Sequence, residues 1–329
     1  MRKIDFEHHF YDFSTIEAMA SRQSYPYYDK TTDLIHWNAK VDMPQGKLLD
    51  KLLDVGENRI QLMDELGLDT AVISTSQGVE DLDPAESVTL CRKTNDAVFA
   101  LTQRYPGRFL GSAILPVKDM AAALAELDRC VKELRFVCWY THSNYNGAGP
   151  FEDQFRPLFL KAAELGVFVY LHPAFPESES LSEYGFTFGG PGAGFTIDTM
   201  VSILKMIVSG LFDEIPELKV ILGHLGEAIP FLLDRIDNRM NFLPNPKLKN
   251  KYKPSYYFHH NIMVSTSGNM SEAAFRCTMD VLGIENILFG SDYPFENIRE
   301  MVNFVDHLPI SEEQRALVYF GNAAKLGIS

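Results

Sequence analysis

Apolar residues fall along this chain in short unbroken runs separated by longer stretches of helical periodicity. Val167-Phe168-Val169-Tyr170-Leu171 is continuously apolar, as a parallel strand covered on both faces is. The run from Met120 to Leu127 is rich in good helix formers and carries one apolar face. Taking the two patterns in turn predicts strands over 3–9, 70–75, 109–116, 135–142, 167–173, 219–226, 261–267 and 286–294. Helices are predicted between them, over 55–66, 87–105, 120–134, 155–165, 197–212 and 228–240. Eight strand–helix units over about 300 residues fit a (β/α)8 (TIM) barrel, and no linker divides it, so 1–329 is expected to be a single domain. A doubly wound open sheet would need a glycine-rich phosphate turn after the first strand, where this chain has Glu7-His8-His9.

Two long loops interrupt the regular alternation, after strands 1 and 5. One spans 10–54 and holds Tyr25, Tyr27, Tyr28 and Trp37; the other spans 174–195 and holds Gly189-Gly190-Pro191-Gly192-Ala193-Gly194. Both are expected to stand over the barrel mouth. Their aromatics, with Trp139, Phe188 and Phe195, either wall a pocket for a flat ligand or pack against the rim. The glycines lack the strand–turn–helix context of a dinucleotide fingerprint.

Polar residues that can ligate a metal sit where four apolar runs end: Glu7-His8-His9, Leu171-His172-Pro173, Gly223-His224-Leu225-Gly226-Glu227 and Gly290-Ser291-Asp292-Tyr293-Pro294. In a parallel barrel these C-terminal strand ends carry the active site. Taken singly, each such histidine is as readily structural, and Asp292 as readily a turn or cap residue. Taken together they define one site. Side chains alternate along a strand, so Glu7 and His9 share a face and His8 points to the other, in a structural role. His172 and Asp292 complete a mixed nitrogen and oxygen set that suits Zn²⁺ or Mn²⁺. His224 fits either a fifth ligand or, more usefully, an unligated acid or base beside that ion. Glu227, three residues on, either orients the His224 ring or serves as a first-turn helix acid. His142, at the end of strand four, is a further polar group near the mouth.

Composition narrows the partners. The 329 residues carry a formal net charge of −14, which excludes nucleic acid as the main ligand. Lys247, Lys249, Lys251 and Lys253 alternate with Leu248, Asn250 and Tyr252, as in a solvated loop. Cys91, Cys130, Cys138 and Cys277 have no CxxC spacing, and no apolar run is long enough for a membrane span or secretory signal. Reduced thiols and a cytoplasmic location are expected.

The segment 218–227 (Leu-Lys-Val-Ile-Leu-Gly-His-Leu-Gly-Glu), followed by Pro230-Phe231 and Arg235-Ile236-Asp237, is similar to the metal-dependent decarboxylase branch of the amidohydrolase superfamily. Thr266-Ser267-Gly268-Asn269, the stretch 289–297 and Phe320-Gly321-Asn322-Ala323-Ala324 extend the resemblance over almost the whole chain. That branch includes γ-resorcylate, 2,3-dihydroxybenzoate, 5-carboxyvanillate and aminocarboxymuconate-semialdehyde decarboxylases. The resemblance implies Glu7, His9, His172 and Asp292 as metal ligands and His224 as the catalytic histidine. It also implies Arg59 and Arg235 as arginines that bind the substrate carboxylate or support the site. In related enzymes the second arginine enters the neighbour's active site, which implies a homodimer with Arg235 near the interface. Glu7-x-His9 replaces the His-x-His opening of many superfamily members, as in the γ-resorcylate type. The stretch 136–142 has no lysine to carbamylate, so one metal ion is implied rather than two.

The activity implied is nonoxidative decarboxylation of a hydroxylated aromatic carboxylic acid, such as a dihydroxybenzoate or carboxyvanillate. The carboxylate and an ortho oxygen would chelate the metal, and Asp292 would protonate the ring carbon with His224 assisting and Glu227 behind it. A hydrolase, lactonase or hydratase using metal-bound water is the alternative on the same barrel. A silent binding protein is a third, against which the intact ligand set argues.

Overall fold

The computed structural model describes residues 1–75, 78–80, 82–240 and 242–328. The buried runs form one parallel sheet in chain order: β1 (Ile4–Phe10), β2 (Thr70–Thr75), β3 (Phe109–Ala113), β4 (Cys138–His142), β5 (Phe168–His172), β6 (Val220–Leu222), β7 (Ile262–Ser265) and β8 (Ile287–Leu288). The Phe6 amide donates to the Phe289 carbonyl at 2.9 Å and the Asp292 amide to the Glu7 carbonyl at 3.0 Å. These bonds bring the first and last strands together, so the sheet closes into the expected barrel and leaves no exposed edge.

Alternation sorts the strand residues into two apolar layers. Phe6, Val72, Tyr140, Phe168, Ile221 and Met263 fill the barrel, together with Ala323, Leu326 and Ile328 from the C-terminal segment. Ile73, Val169, Leu171, Leu222 and Val264 face outward onto Leu127, Phe159, Met206 and Val305 of the surrounding helices. The helices follow the predicted periodicity, at Glu57–Glu65, Pro84–Arg104, Met120–Lys132, Arg156–Leu165, Gly194–Val208 and Ile229–Met240. Asp119 caps the third of these by accepting from the Ala122 amide at 3.0 Å. The predicted helix over 197–212 breaks at Gly210, whose φ of 79° ends one helix before Leu211–Glu214 begins another.

One irregularity in β1 decides which residues face inward. Unbroken alternation from Ile4 and Phe6 would put His8 inside and Glu7 and His9 outside. The pairing with β2 steps instead from Asp5↔Ala71 to His8↔Ile73, an advance of three residues (8 − 5) against two (73 − 71). This β-bulge reverses the parity. Phe6 stays in the interior, Glu7 and His9 join it, and Asp5 and His8 lie opposite Ala71 and Ile73 of the outer layer. A bulge strands an amide, and the fully buried Asp5 meets it. Its Oδ1 accepts from the Glu7 amide at 3.1 Å and from the Ser291 amide at 2.9 Å. Its Oδ2 accepts from His8 Nδ1 at 2.9 Å and from the Ser291 hydroxyl. His8 is thus structural, and burial holds its pKa below the ordinary histidine value.

The two long connections have structure of their own. Residues 10–54 form helix Phe13–Ser21, an antiparallel sheet of Tyr27–Asp29, Leu34–Asn38 and Val41–Pro44, and helix Lys47–Leu53. Tyr11, Ile16, Met19, Ile35 and Leu52 make a separate small core there, against which Trp37, Phe186 and Phe295 pack. The second connection winds through Glu179–Ser182 and Gly185–Thr187. Its glycines serve close backbone approach: a Cβ on Gly194 would lie 1.8 Å from the Gly189 carbonyl oxygen. The four lysines from Lys247 to Lys253 are exposed on an irregular segment, and the four cysteines are unpaired, three of them buried. Among the described residues no single helix is long and apolar enough to cross a membrane.

Replacing Asp5 by alanine leaves the Glu7 and Ser291 amides and His8 Nδ1 without their buried acceptor. Asp5→Ala is expected to lower the unfolding free energy by about 1–3 kcal/mol, measured by urea denaturation with Asp69→Ala, at an exposed position, as the control.

Candidate metal centre and cavity

Glu7, His9, His172 and Asp292 converge at the C-terminal end of the barrel, each offering one ligand atom within 4.8 Å of the others. His9 Nε2 lies 3.7 Å from Glu7 Oε1 and 3.2 Å from Asp292 Oδ1, and His172 Nε2 lies 3.8 Å from Glu7 Oε1. The outer nitrogens are already committed. His172 Nδ1 donates to the Pro173 carbonyl at 2.8 Å, and His9 Nδ1 is 3.3 Å from Ser74 Oγ. Both Nε2 atoms are therefore directed at the cluster, the arrangement by which ligating histidines are fixed. Glu7 Oε1 and His9 Nε2 are buried without a hydrogen-bond partner. Two orphaned polar atoms at the centre of a Glu/His/His/Asp set fit a divalent cation, which would supply what each lacks.

The barrel interior governs how Glu7 presents itself. Tyr170, two residues before His172 on β5, donates its hydroxyl to Glu7 Oε2 and lies 2.9 Å from Ser265 Oγ. Ser265 Oγ is 2.9 Å from Ser267 Oγ, which accepts the His224 amide at 3.1 Å. With Oε2 held by Tyr170, only Oε1 is free to ligate. Tyr170, Ser265 and Ser267 were not among the predicted site residues. The period-two spacing of Tyr170 and His172 is a signal for Tyr170 alone.

His224 enters through a tight turn. β6 ends at Leu222, short of the predicted strand, because the chain turns at Gly223. A Cβ there would lie 3.2 Å from Ser267 Oγ and 3.4 Å from Glu7 Oε2. His224, Leu225, Gly226 and Glu227 follow at φ of 53°, 56°, 81° and 57°. Three non-glycine residues in the left-handed region cost about 1–2 kcal/mol each. The turn brings Glu227 Oε1 to 2.8 Å from His224 Nδ1. His224 Nε2 then faces Asp292 Oδ2 at 4.0 Å.

The charges in this space are strongly coupled. Burial would lower the His9 pKa, but Asp292 and Glu7 outweigh it and raise the group to about 9. Burial likewise opposes the charge on His224, and Glu227 overcomes it, to about 10. His172 is pushed well below the ordinary value by burial and by the His9 charge. Burial alone would raise Glu7, yet the neighbouring His9, His224 and His172 rings hold it below the usual carboxylate range. Asp292 moves upward, through burial and the Glu7 charge.

Above the cluster opens a cavity of about 310 Å³ walled by Trp37, Met43, Leu48, Phe175, Phe186, Phe195 and Phe295, with His172, His224, Asp292 and Glu296 at its polar end. Of the aromatics named from sequence, Trp37 and Phe195 line it. Tyr25, Tyr27, Tyr28 and Phe188 do not, and Trp139 packs in the outer layer 4.9 Å from the Phe159 ring. Met43 and Phe186 reach the cavity through the folding of the two long connections, for which sequence periodicity gave no signal, and Phe295 enters it from the segment after β8. His142 is fully buried beside His172, its Nδ1 2.9 Å from Glu80 Oε1, and does not line the cavity.

The structure places both predicted arginines outside the cavity. Arg59 is buried, with Nη1 donating to the His9 carbonyl at 2.6 Å, Nη2 to the Lys51 carbonyl and its guanidinium 5.0 Å from the Tyr293 ring centroid. It supports the strand that carries His9. Arg235 is exposed on helix Ile229–Met240.

Gly268, at φ +64°, passes under His224, and a Cβ there would lie 2.6 Å from His224 Cδ2. Gly268→Ala is expected to cost about 1–2 kcal/mol of stability and to displace the His224 ring. Chemical denaturation measures the first, and a changed NMR titration of the His224 imidazole the second.

Comparison with known proteins places this geometry. The chain is 35% identical over 298 residues to a γ-resorcylate decarboxylase of Polaromonas sp. (strain JS666), covering 87% of this chain and 91% of that protein. A dihydroxybenzoic acid decarboxylase structure from the same strain, with bound manganese and the inhibitor 2-nitroresorcinol, superposes with a TM-score of 0.85 at 32% identity, over 99% of this chain and 96% of that one. The 5-carboxyvanillate decarboxylase of Sphingomonas paucimobilis superposes with a TM-score of 0.86 at 30% identity, over 100% and 99%. The amidohydrolase family model matches residues 4–326. Barrel and sequence agree: the chain belongs to the amidohydrolase family.

Proposed function

We infer that the chain is a metal-dependent carboxy-lyase that decarboxylates a hydroxylated aromatic carboxylic acid of the dihydroxybenzoate kind. Asp292 carries this reading. Its Oδ1 belongs to the ligand cluster, while its Oδ2 faces His224 across the end of an aromatic-walled cavity. Glu7, His9, His172 and Asp292 would hold one divalent ion, manganese or zinc, which when bound would supply a Lewis acid for the charge of the substrate's carboxylate and ortho oxygen.

The chain's own residues supply the proton. Asp292, whose pKa is raised, delivers it to the ring carbon that bears the carboxylate. The bond from that carbon to the carboxylate then breaks, its electron pair returns to the ring, and CO2 leaves. His224, kept protonated by Glu227, resupplies Asp292. The apolar walls orient the ring and keep water from the dearomatised carbon. The relatives that act as decarboxylases favour this chemistry over hydrolysis by metal-bound water.

The remaining assignments belong to the same reading. His224 and Asp292 are the catalytic pair, Glu227 orients His224, and Arg59 supports the site through the His9 carbonyl. Arg235, exposed near the likewise exposed Phe231, reaches the active site of a second copy, so the enzyme is a homodimer of single-domain chains. The unpaired cysteines suit a cytoplasmic enzyme.

Asp292→Asn is expected to lower kcat for CO2 release from 2,6-dihydroxybenzoate by about 10²–10⁴-fold while metal analysis still finds bound ion. Near-normal turnover would remove Asp292 as the proton donor. Metal binding must also displace the proton that His9 holds up to about pH 9. His9 is charged below that pH and neutral above it, so Mn²⁺ affinity is expected to rise by about tenfold per pH unit from pH 6 toward 9, with proton release. Calorimetry in buffers of different ionisation enthalpy measures both.

A further inference from the structure

The Glu7 oxygen turned away from the ligand cluster ends a line of buried hydroxyls, and the other end of that line is the backbone of the His224 turn. Tyr170, Ser265 and Ser267 are all fully buried. They come from β5, from the last residue of β7 and from the segment that follows it. Tyr170 donates to Glu7 Oε2, and its oxygen lies 2.9 Å from Ser265 Oγ. Ser265 Oγ lies 2.9 Å from Ser267 Oγ, which accepts the His224 amide at 3.1 Å. A hydroxyl has one proton to give and a carboxylate only accepts, so the protons run one way. Tyr170 gives its proton to Glu7. Ser265 must then donate to the Tyr170 oxygen, or to Glu7 Oε2 at 3.3 Å, and Ser267 must donate to Ser265. Every donor in the line points toward Glu7. Gly223, the residue before His224, rests on the same atoms: a Cβ there would lie 3.2 Å from Ser267 Oγ, 3.4 Å from Glu7 Oε2 and 3.4 Å from the Tyr170 oxygen.

We propose that Tyr170 is a positioning residue that couples occupation of the metal centre to the placement of His224. The inference rests on the metal-dependent reading of this site and deepens it. While Tyr170 holds Oε2, Glu7 keeps Oε1 at the cluster; released, the carboxylate is free to turn and take Oε1 away. The line is complete only while the turn over 224–227 is closed, because opening it withdraws the His224 amide from Ser267 and loosens each link up to Glu7. That turn is strained at three non-glycine positions and gains from a clasp. By linkage, whatever the closed turn adds to metal affinity, the bound metal returns as resistance of the turn to opening.

The test uses Mn²⁺ alone as the probe. Full-length, chelator-treated protein is titrated with Mn²⁺ by calorimetry, and hydrogen exchange of the segment 222–228 is followed by mass spectrometry with and without the ion. Tyr170→Phe, which keeps the ring, is expected to weaken Mn²⁺ binding by about 10–100-fold. Ser267→Ala removes a hydroxyl two links from Glu7 and is expected to weaken it by about threefold or more, with the double variant no weaker than Tyr170→Phe, since the line is already cut. Ser267→Thr keeps the hydroxyl and restores the affinity. Mn²⁺ slows exchange of 222–228 in the wild type and leaves it unchanged in Tyr170→Phe. Wild-type affinity in Ser267→Ala, losses that multiply in the double variant, or equal protection by Mn²⁺ in wild type and Tyr170→Phe overturns the proposal. Should Tyr170→Phe not fold, Ser267→Ala and Ser267→Thr decide it. Turnover of 2,6-dihydroxybenzoate is measured in parallel. Its absence overturns the decarboxylase reading, while the metal affinities still decide the role of Tyr170.

Discussion

The seam between β1 and the segment after β8 is the constraint on which the rest of the site depends. Three of the four ligand residues, Glu7, His9 and Asp292, lie on it, and backbone bonds from Phe6, His9 and Asp292 tie its two sides together. Asp5 joins the same two sides through its side chain, accepting from Glu7 and His8 on one and from Ser291 on the other. A buried carboxylate is costly unless its lone pairs are satisfied, and here four donors satisfy them. The bulge that turns Glu7 and His9 inward and the closure that brings Asp292 beside them are thus held by one side chain. Metal site and barrel closure are mechanically a single feature.

Around that seam the barrel interior changes character along its axis. Its lower part is apolar and filled by Phe6, Phe168 and the C-terminal Leu326 and Ile328. Higher up, Tyr140 and Tyr170 stack at 5.3 Å, and the Tyr170 hydroxyl begins the chain of hydrogen bonds that runs through Ser265 and Ser267 to the His224 amide. Glu7 and the backbone of His224 are thereby referred to the same rigid strands. The strained turn over 224–227 persists because its surroundings determine it: Gly223 packs closely against Ser267, Glu7 and Tyr170, and Thr278 donates to the Leu225 carbonyl at 3.1 Å.

The cap formed by residues 10–54 supplies what the strands cannot. A barrel mouth alone offers polar strand ends open to water. Trp37, Met43 and Leu48 from the cap meet Phe175, Phe186 and Phe195 from the second connection to give an apolar chamber over a charged floor. Trp37, Met43, Phe186 and Phe295 also belong to the cap's own small core, so the chamber walls and the stability of the cap rest on the same contacts. An apolar chamber over a metal-ligating floor suits a flat aromatic ring.

By itself the sequence determined the barrel, because continuous apolar runs and 3.6-residue periodicity report burial directly. It pointed as well to Glu7, His9, His172 and Asp292 as one cluster, because polar residues that end such runs gather at one end of a closed parallel sheet. It also implied that Glu7 and His9 share a face, since local alternation holds on either side of a bulge. Tertiary structure alone decided that this shared face is the inner one. Counting from Ile4 gives the opposite answer, and only the pairing of β1 with β2 shows the extra residue. The same is true of Asp5 and Tyr170, whose roles come from partners 286 and 163 residues away. It is true of the cap, where short antiparallel strands carry too few residues to show a period. Arg59 marks the boundary: its sequence context is shared with an arginine that supports or binds, and packing against the His9 carbonyl and Tyr293 fixes where its charge lies. Spacing along a chain reports which face a residue shares with its neighbours, whereas the meeting of distant segments is set by packing that no local pattern records.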